Sequence, residues 1–386
     1  VPPLRFPGFT DEWKKYELNQ LVKRVTRKNK DEESKIALTI SAQYGLVDQE
    51  SFFNNKVASS DLSHYYLLLK GDYAYNKSYS SGYPWGAVKR LNLYEKGAVS
   101  TLYICFRPVD TVDSDYIGHY FESKKWHKGV SEIAVEGARN HGLLNVGVKD
   151  FFETVHFVPS IDEQKKISAL LNLIDERIST QNKIIEDLKK LKSAIIERLF
   201  DKLEGKEYRY KELLQVVNER NKDLRFKKVI AASQEYGMVE RETLNLKVQF
   251  DESSINTYKI IHAGDYVVHL RSFQGGFAFS ELNGICSPAY IILRPNGEIL
   301  SYGFLRYYFV SKIFVNSLRL VTYGIRDGRS INVEEWLDMS IRIPKKAIQE
   351  QILNTIQSID NKLSNENQYM DSLLKQRRFL LSHMFI

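Results

Sequence analysis

The sequence predicts an α+β protein: two similar, mixed, strand-rich domains separated by two long helices that form an antiparallel coiled coil, with pseudo-two-fold symmetry. Three observations predict it. SAQYGLVDQE, Ser41 to Glu50, returns as SQEYGMVERE, Ser233 to Glu242. Short runs of Val, Ile, Tyr and Phe between Gly, Asn, Asp and Ser fill each half and read as strands separated by turns. Each half then closes on apolar residues at three- and four-residue spacing, the stripe of a long amphipathic helix.

The repeat extends well beyond its opening phrase. KGDYAYNKS (Lys70 to Ser78) answers AGDYVVHLRS (Ala263 to Ser272), and GAVSTLYICFRP (Gly97 to Pro108) answers GICSPAYIILRP (Gly284 to Pro295). HYFESKKW (His119 to Trp126) answers YYFVSKIF (Tyr307 to Phe314), and GARNHGLLNV (Gly137 to Val146) answers GIRDGRSINV (Gly324 to Val333). The landmarks keep their order while the offset drifts, as small insertions within a shared fold produce. Solenoid repeats run roughly 20–50 residues; a repeat spanning half the chain instead describes two modules able to face two separate targets.

The first domain is expected over residues 1–158. KIALTISAQYGLV (Lys35 to Val47), STLYICFRP (Ser100 to Pro108) and FFETVHFVP (Phe151 to Pro159) read as strands, and a helix is expected around Asp115 to Lys128. Pro159 ends the last strand, and residues 159–204 form the first long helix. Its seam is Ile167, Leu171, Ile174, Ile178, Ile185, Leu188, Ile195 and Leu199, with Gln181 and Lys192 at interrupted positions. Ser160 and Glu163 have the spacing of a capping box, and Gly205 is placed to stop the helix, which spans roughly 60 Å at 1.5 Å per residue. Residues 205–343 form the second domain and 344–386 the second long helix. That helix has its seam at Ile352, Ile356, Ile359, Leu363, Met370, Leu373, Leu380 and Met384.

The two helices match at constant offset: Gln164 falls on Gln349, Asp175 on Asp360 and Phe200 on Phe385. Helices of this length outrun the face of one domain, so their stripes are expected to cover each other. Antiparallel order follows if a two-fold axis relates the halves. Ile184, Ile196 and Leu374 lie outside the seam and read as partner surface.

Composition excludes several classes. Of 386 residues, 43% are hydrophobic and 27% charged, the balance of an ordinary folded chain. The net charge of +7 is compatible with a nucleic-acid partner and specific to none. No apolar stretch approaches the 18 or more residues of a membrane span, and no signal peptide is visible. The two cysteines, Cys105 and Cys286, sit at nearly matched places in strand-like runs, and read as buried thiols in a reducing cytoplasm. No G-x-G-x-x-G or G-x-x-x-x-G-K-[ST] stands between a strand and a helix. N-P-P-Y and D-P-P-Y are absent, and the histidines have no metal-site spacing. Acidic pairs such as Asp110 and Asp113 lack a lysine at nuclease spacing. The pattern is that of a chain that binds and does not catalyse.

With these pieces in place, the chain resembles the specificity subunit of type I restriction-modification systems, the HsdS family. LRFPGFTDEW (Leu4 to Trp13), the GDY turns at Gly71 and Gly264, and the P-x-x-x-x-Q-x-x-I helix starts at Pro159 and Pro344 carry the resemblance. So do the D-x-x-I/L step after each and LKKLKSAIIERLF (Leu188 to Phe200). The resemblance implies two target recognition domains, each reading half of a bipartite double-stranded DNA target, with the helices setting the spacer. It implies a non-catalytic, cytoplasmic subunit that docks two modification (methyltransferase) subunits and, through them, two restriction subunits. The chain itself would bind no cofactor or metal; S-adenosylmethionine, ATP and magnesium belong to the partners.

Candidate DNA contacts follow from side-chain chemistry. After each GDY turn comes a short polar segment with a basic residue beside an aromatic: Lys77, Ser78, Tyr79 and Ser80, against Arg271, Ser272, Phe273 and Gln274. Such segments suit phosphate contact and base-edge reading, or are ordinary surface turns. A second set is Arg139, Asn140 and His141, against Arg326, Asp327 and Arg329. Arginine pairs bidentately with guanine and asparagine with adenine. The matched Arg139 and Arg326 equally suit a shared salt bridge or a phosphate. Gln43 and Tyr44, with Glu235 and Tyr236, form a weaker third set whose tyrosines read as core or loop packing. Two other readings remain open: a protein-binding structural adaptor, and a stand-alone sequence-specific DNA-binding protein.

Overall fold

The computed structural model describes residues 1–41, 44–53, 61–79, 82–134, 144–233, 237–244, 252–269, 276–323 and 330–386. It divides into two compact units, Val1–Asn182 with Gln368–Ile386, and Lys183–Asn367. Both are mixed α+β and rich in sheet.

In the first unit, Lys14–Glu17 pairs antiparallel with Val155–Val158. A four-stranded sheet has the order Val22–Arg24, Ile104–Pro108, Tyr73–Asn76, Ala87–Arg90. Another has the order Gly45–Asp48, Ala37–Ser41, Lys96–Val99, Tyr66–Leu69, with one parallel pair at its centre.

The second unit repeats this plan. Lys206–Arg209 pairs with Ser340–Ile343. Its four-stranded sheet runs Leu214–Val217, Ile291–Pro295, Tyr266–Val268, Phe277–Phe279, the same order built from the corresponding strands. In place of the second four-stranded sheet stand two antiparallel strand pairs, Ile230–Ser233 with Gly237–Glu240 and Lys259–Ile261 with Gly284–Cys286. A parallel bridge from Val229 to Ile285 joins them.

The cores are aromatic. Tyr75 stacks on Phe151 at 4.7 Å and Tyr73 on Phe106 at 5.4 Å in the first unit. In the second, Tyr210 stacks on Trp336 at 4.4 Å, and Phe277, Phe309 and Phe314 close around the same indole. Cys105 and Cys286 are buried free thiols that burial pushes up to about 12. They do not occupy equivalent strands, because Ile104–Pro108 corresponds to Ile291–Pro295 and not to Gly284–Cys286.

The long helices are Ile161–Asp201, 41 residues, and Lys346–His383, 38 residues. Ile167, Leu171 and Ile174 join Leu380, Leu381, Met384 and Phe385 in the core of the first unit. In the second unit Ile196 and Phe200 join Ile352 and Ile356. Ile196 is therefore core and not partner surface. The buried stripe shifts by one residue near the helix end because Phe200 inserts between Phe304 and Tyr308, with centroids at 5.6 and 5.4 Å.

Four local expectations are corrected. The helix expected over Asp115 to Lys128 is two helices, Ser114–Glu122 and His127–Ile133. Ser123 turns extended between them, its hydroxyl donating to the Tyr120 carbonyl. Phe151 and Phe152 close a short helix, Val148–Phe152, and only Val155–Val158 is strand. The capping box at Ser160 is half made: Glu163 N–H reaches the Ser160 hydroxyl at 3.4 Å, but the Glu163 carboxylate is held by Arg5. Gly205 serves close approach instead of helix termination, since a Cβ there would lie 2.2 Å from the Ile343 carbonyl oxygen.

Candidate nucleic-acid interface

The GDY landmarks prove to be framework. Gly71 and Gly264 adopt φ of 89° and 100°, a left-handed turn that glycine adopts without strain. The aspartates that follow are buried and cap their own turns: Asp72 accepts from Leu69 N–H and Asp265 from His262 N–H. Each also binds the arginine of the neighbouring R-P strand. Arg107 donates to Asp72, and Arg294 donates twice to Asp265 at 3.0 Å. Arg27 adds a bond to Asp72 at 2.9 Å; Glu219 holds the corresponding place in the second copy. A buried carboxylate is stable only when so satisfied.

Lys77, Ser78 and Tyr79 leave the end of strand Tyr73–Asn76. Lys77 is only partly exposed; its carbonyl accepts from Leu144 N–H and its ammonium donates to the Val146 carbonyl at 3.3 Å. Ser78 N–H donates to Asn76, and the Tyr79 ring is 60% exposed. The segment holding Lys77 is thus bonded to Leu144–Val146, which directly follows the chain that carries Arg139, Asn140 and His141. Ser80, Arg139, Asn140 and His141 lie outside the described residues, as do Arg271, Ser272, Phe273, Gln274, Arg326, Asp327 and Arg329. Gln43, Glu235 and Tyr236 also lie outside them. What the structure defines is their anchorage. In the second unit, Val268 pairs with Phe277 and His269 N–H bonds the Gly276 carbonyl at 2.8 Å, on either side of 270–275. Tyr323 pairs with Ser330 on either side of 324–329.

Tyr44 corrects its packing assignment: the ring is 63% exposed, at the tip of the Ala37–Ser41 and Gly45–Asp48 hairpin. It lines a polar cleft of about 500 Å³ with Lys89, Arg90, Asp115, Asp175 and Arg377. Inside that cleft Arg90 holds Asp115 at 2.5 Å, and Asn172 bonds both Asp115 and His119 at 2.8 Å. Burial pushes the His119 imidazole down, more than Asn172 and Asp175 raise it. Burial likewise opposes the Asp115 charge, but the bonds from Asn172 and Arg90 outweigh it and leave the carboxyl below its ordinary range.

Two features were missed from sequence. The glutamines of the helix starts, Gln164 and Gln349, are buried braces. Each donates to the carbonyl of its proline, Pro159 or Pro344, and accepts from a backbone N–H of its own unit, Asp113 or Ser301. The aspartates of the D-x-x-I/L step form reciprocal ion pairs. Asp175 takes Arg377 at 2.5 Å within the first unit, and Asp360 takes Lys192 within the second. Lys192 and Arg377 are themselves matched positions, as are Asp175 and Asp360. That pairing of conjugate positions was the available signal. Among the described residues no three His, Cys, Asp or Glu side chains gather as a metal site, and no helix is long and apolar enough to cross a membrane.

No family model matches the chain. Over 323 residues it is 24% identical to the type I restriction enzyme MjaVIII specificity subunit of Methanocaldococcus jannaschii, covering 75% of this chain and 74% of that protein. Its fold is similar to a chain from a structural study of assembly and conformational transition in a type I R-M system. There the TM-score is 0.60 at 14% identity, covering 97% of both chains. It is also similar to the type I restriction-modification S subunit from M. genitalium, with a TM-score of 0.52 at 14% identity over 100% of this chain and 99% of that one. Distant sequence likeness thus spans three quarters of the chain, and a similar fold extends over nearly all of it.

Proposed function

We propose that this chain is the non-catalytic, DNA-recognising subunit of a type I restriction-modification complex, reading a bipartite target. In this reading residues 1–158 and 205–343 are target recognition domains, and 159–204 and 344–386 are spacer helices. The observation that carries it is the shared four-stranded sheet of each unit. Matched strands and buried Asp–Arg pairs hold stems whose intervening segments differ: Lys77 to Ser80 against Leu270 to Gln274, and Arg139 to His141 against Arg326 to Arg329. A constant frame with divergent tips is what two independent half-site readers require.

The helices serve as the ruler, paired antiparallel with pseudo-two-fold symmetry. The reciprocal ion pairs support this: stepping forward from Asp175 to Lys192 accompanies an equal step backward from Arg377 to Asp360. At about 3.4 Å per base pair, helices of this length reach beyond one turn of B-DNA. Lysines and arginines on the variable segments hold the backbone, and neighbouring polar groups test base edges. Two modification subunits supply S-adenosylmethionine chemistry on adenine, with base flipping theirs, and two restriction subunits supply ATP- and magnesium-dependent cleavage. Methylome sequencing of a host expressing the chain with its modification subunit tests the reading. A split site with two unlike halves is expected, and exchanging 270–275 should alter one half alone. A change in both halves, or methylation without this chain, would refute it.

A further inference from the structure

The second unit carries an open groove of about 700 Å³ where the end of the first long helix meets the start of the second. Leu199, Lys202, Leu203, Ile348, Ile352 and Thr355 line it. Ile348 is 46% exposed there, on a helix whose neighbouring Ile352 is buried.

The duplication supplies the comparison. Ile348 and Gln351 hold the positions that Glu163 and Lys166 hold in the first copy. There, within the first unit, those positions are covered. Arg5 makes a two-pronged bond to Glu163 at 2.7 and 2.8 Å, and Lys166 lies 5.1 Å from the centre of the Phe9 ring. Pro2 is buried, Leu4 N–H donates to the His383 carbonyl at 3.0 Å, and Phe6 packs on the core. The N-terminal segment thus lies as a strap over the helix ends. In the second copy the chain runs from Asp201 directly into strand Lys206–Arg209, so the segment before that strand supplies no such strap among the described residues.

We propose that this groove docks an extended peptide segment of a partner protein, bearing proline and aromatic side chains like Pro2–Phe9 but an apolar residue in place of Arg5. Proline-rich segments are already extended and lose little freedom on docking. The exchange of Glu163 for Ile348 selects the central side chain. Arginine there would lose the two-pronged carboxylate that Glu163 gives Arg5, since the other lining carboxylate, Glu204, is exposed to water, whereas leucine would cover Ile348. The same exchange disfavours the N-terminus of a second copy, which carries Arg5. The inference stands on the duplication and does not depend on DNA recognition.

Fluorescence anisotropy of labelled synthetic peptides against the full chain tests it. The probes are Val1–Thr10 as it stands and the same peptide carrying Arg5→Leu. The leucine peptide should bind saturably and at least tenfold more tightly than the parent. Ile348→Glu should reverse that preference, and Thr355→Arg, at an exposed lining position, should abolish binding of both. Absence of saturable binding, equal affinity for the two peptides, or indifference to both variants would overturn the proposal. Preference of the unaltered chain for the parent peptide would overturn it in favour of a second copy's N-terminus.

Discussion

Replacing Asp72 or Asp265 by alanine tests whether the GDY aspartates are the frame on which recognition hangs. Asp72 is fully buried and accepts bonds from Leu69 N–H, Arg27 and Arg107. Asp72→Ala strands a turn N–H and removes the partner of two guanidiniums. Breaking a buried pair costs about 3–5 kcal/mol. Here the arginine side chains are 39% and 46% exposed and keep part of their hydration, so about 2–4 kcal/mol is the discounted expectation. For a unit of this size that lowers Tm by about 5–12 °C. Asp265→Ala removes one arginine's partner and should fall at the lower end. Asp72→Asn keeps an acceptor for Leu69 N–H and should cost about half as much. The assay is thermal unfolding with hydrogen exchange, which should localise each loss to the unit carrying the substitution. In the assembled complex each variant should impair one half-site and spare the other. A loss below about 1 kcal/mol for both alanine variants, or exchange that rises equally in both units, would refute the framework role.

Three further outcomes are expected. Burial pushes the His156 imidazole, bonded to Tyr120 and Thr154, down to about 4 from an ordinary 6.5. The unfolded chain therefore takes up a proton below 6.5 that the native chain refuses until about 4. Stability should fall across that window by up to about 3 kcal/mol and level off below it; His156→Ile, the residue at the matching position 341, should flatten the profile measured by denaturation between pH 4 and 7. Gly205→Ala should destabilise the second unit by about 1–3 kcal/mol, because its Cβ would meet the Ile343 carbonyl and not a movable side chain; an unchanged melting curve would sink that reading. Arg271→Ala should weaken DNA binding by the assembled complex and flatten the logarithmic salt dependence by about one phosphate's worth, whereas unchanged affinity and slope in a salt titration would remove Arg271 from the interface.

What was legible and what was not divides along the range of the interactions. The helix stripes were readable because periodicity is a local property of the chain. Near Phe200 the reading slipped by one residue, because Phe304 and Tyr308 draw the buried face round. Tyr44 read as packing because large aromatics usually bury, yet its place at a hairpin tip leaves it exposed. Glu163 matched a capping box three residues after Ser160, but a charged partner far away in sequence, Arg5, took its carboxylate.

By itself, the sequence determined that the chain is duplicated, that each half is strand-rich, and that each ends in a long helix. Those features rest on order, spacing and turn residues, which act over a few positions at a time. Tertiary structure decided which arginine neutralises each buried aspartate, that Gln164 and Gln349 brace their helix starts, and that the aspartates of the helices find cations at conjugate positions. It also decided that one copy of a shared groove is strapped and the other open. These are contacts between residues tens to hundreds of positions apart, and burial and charge select among such partners only once the chain has folded.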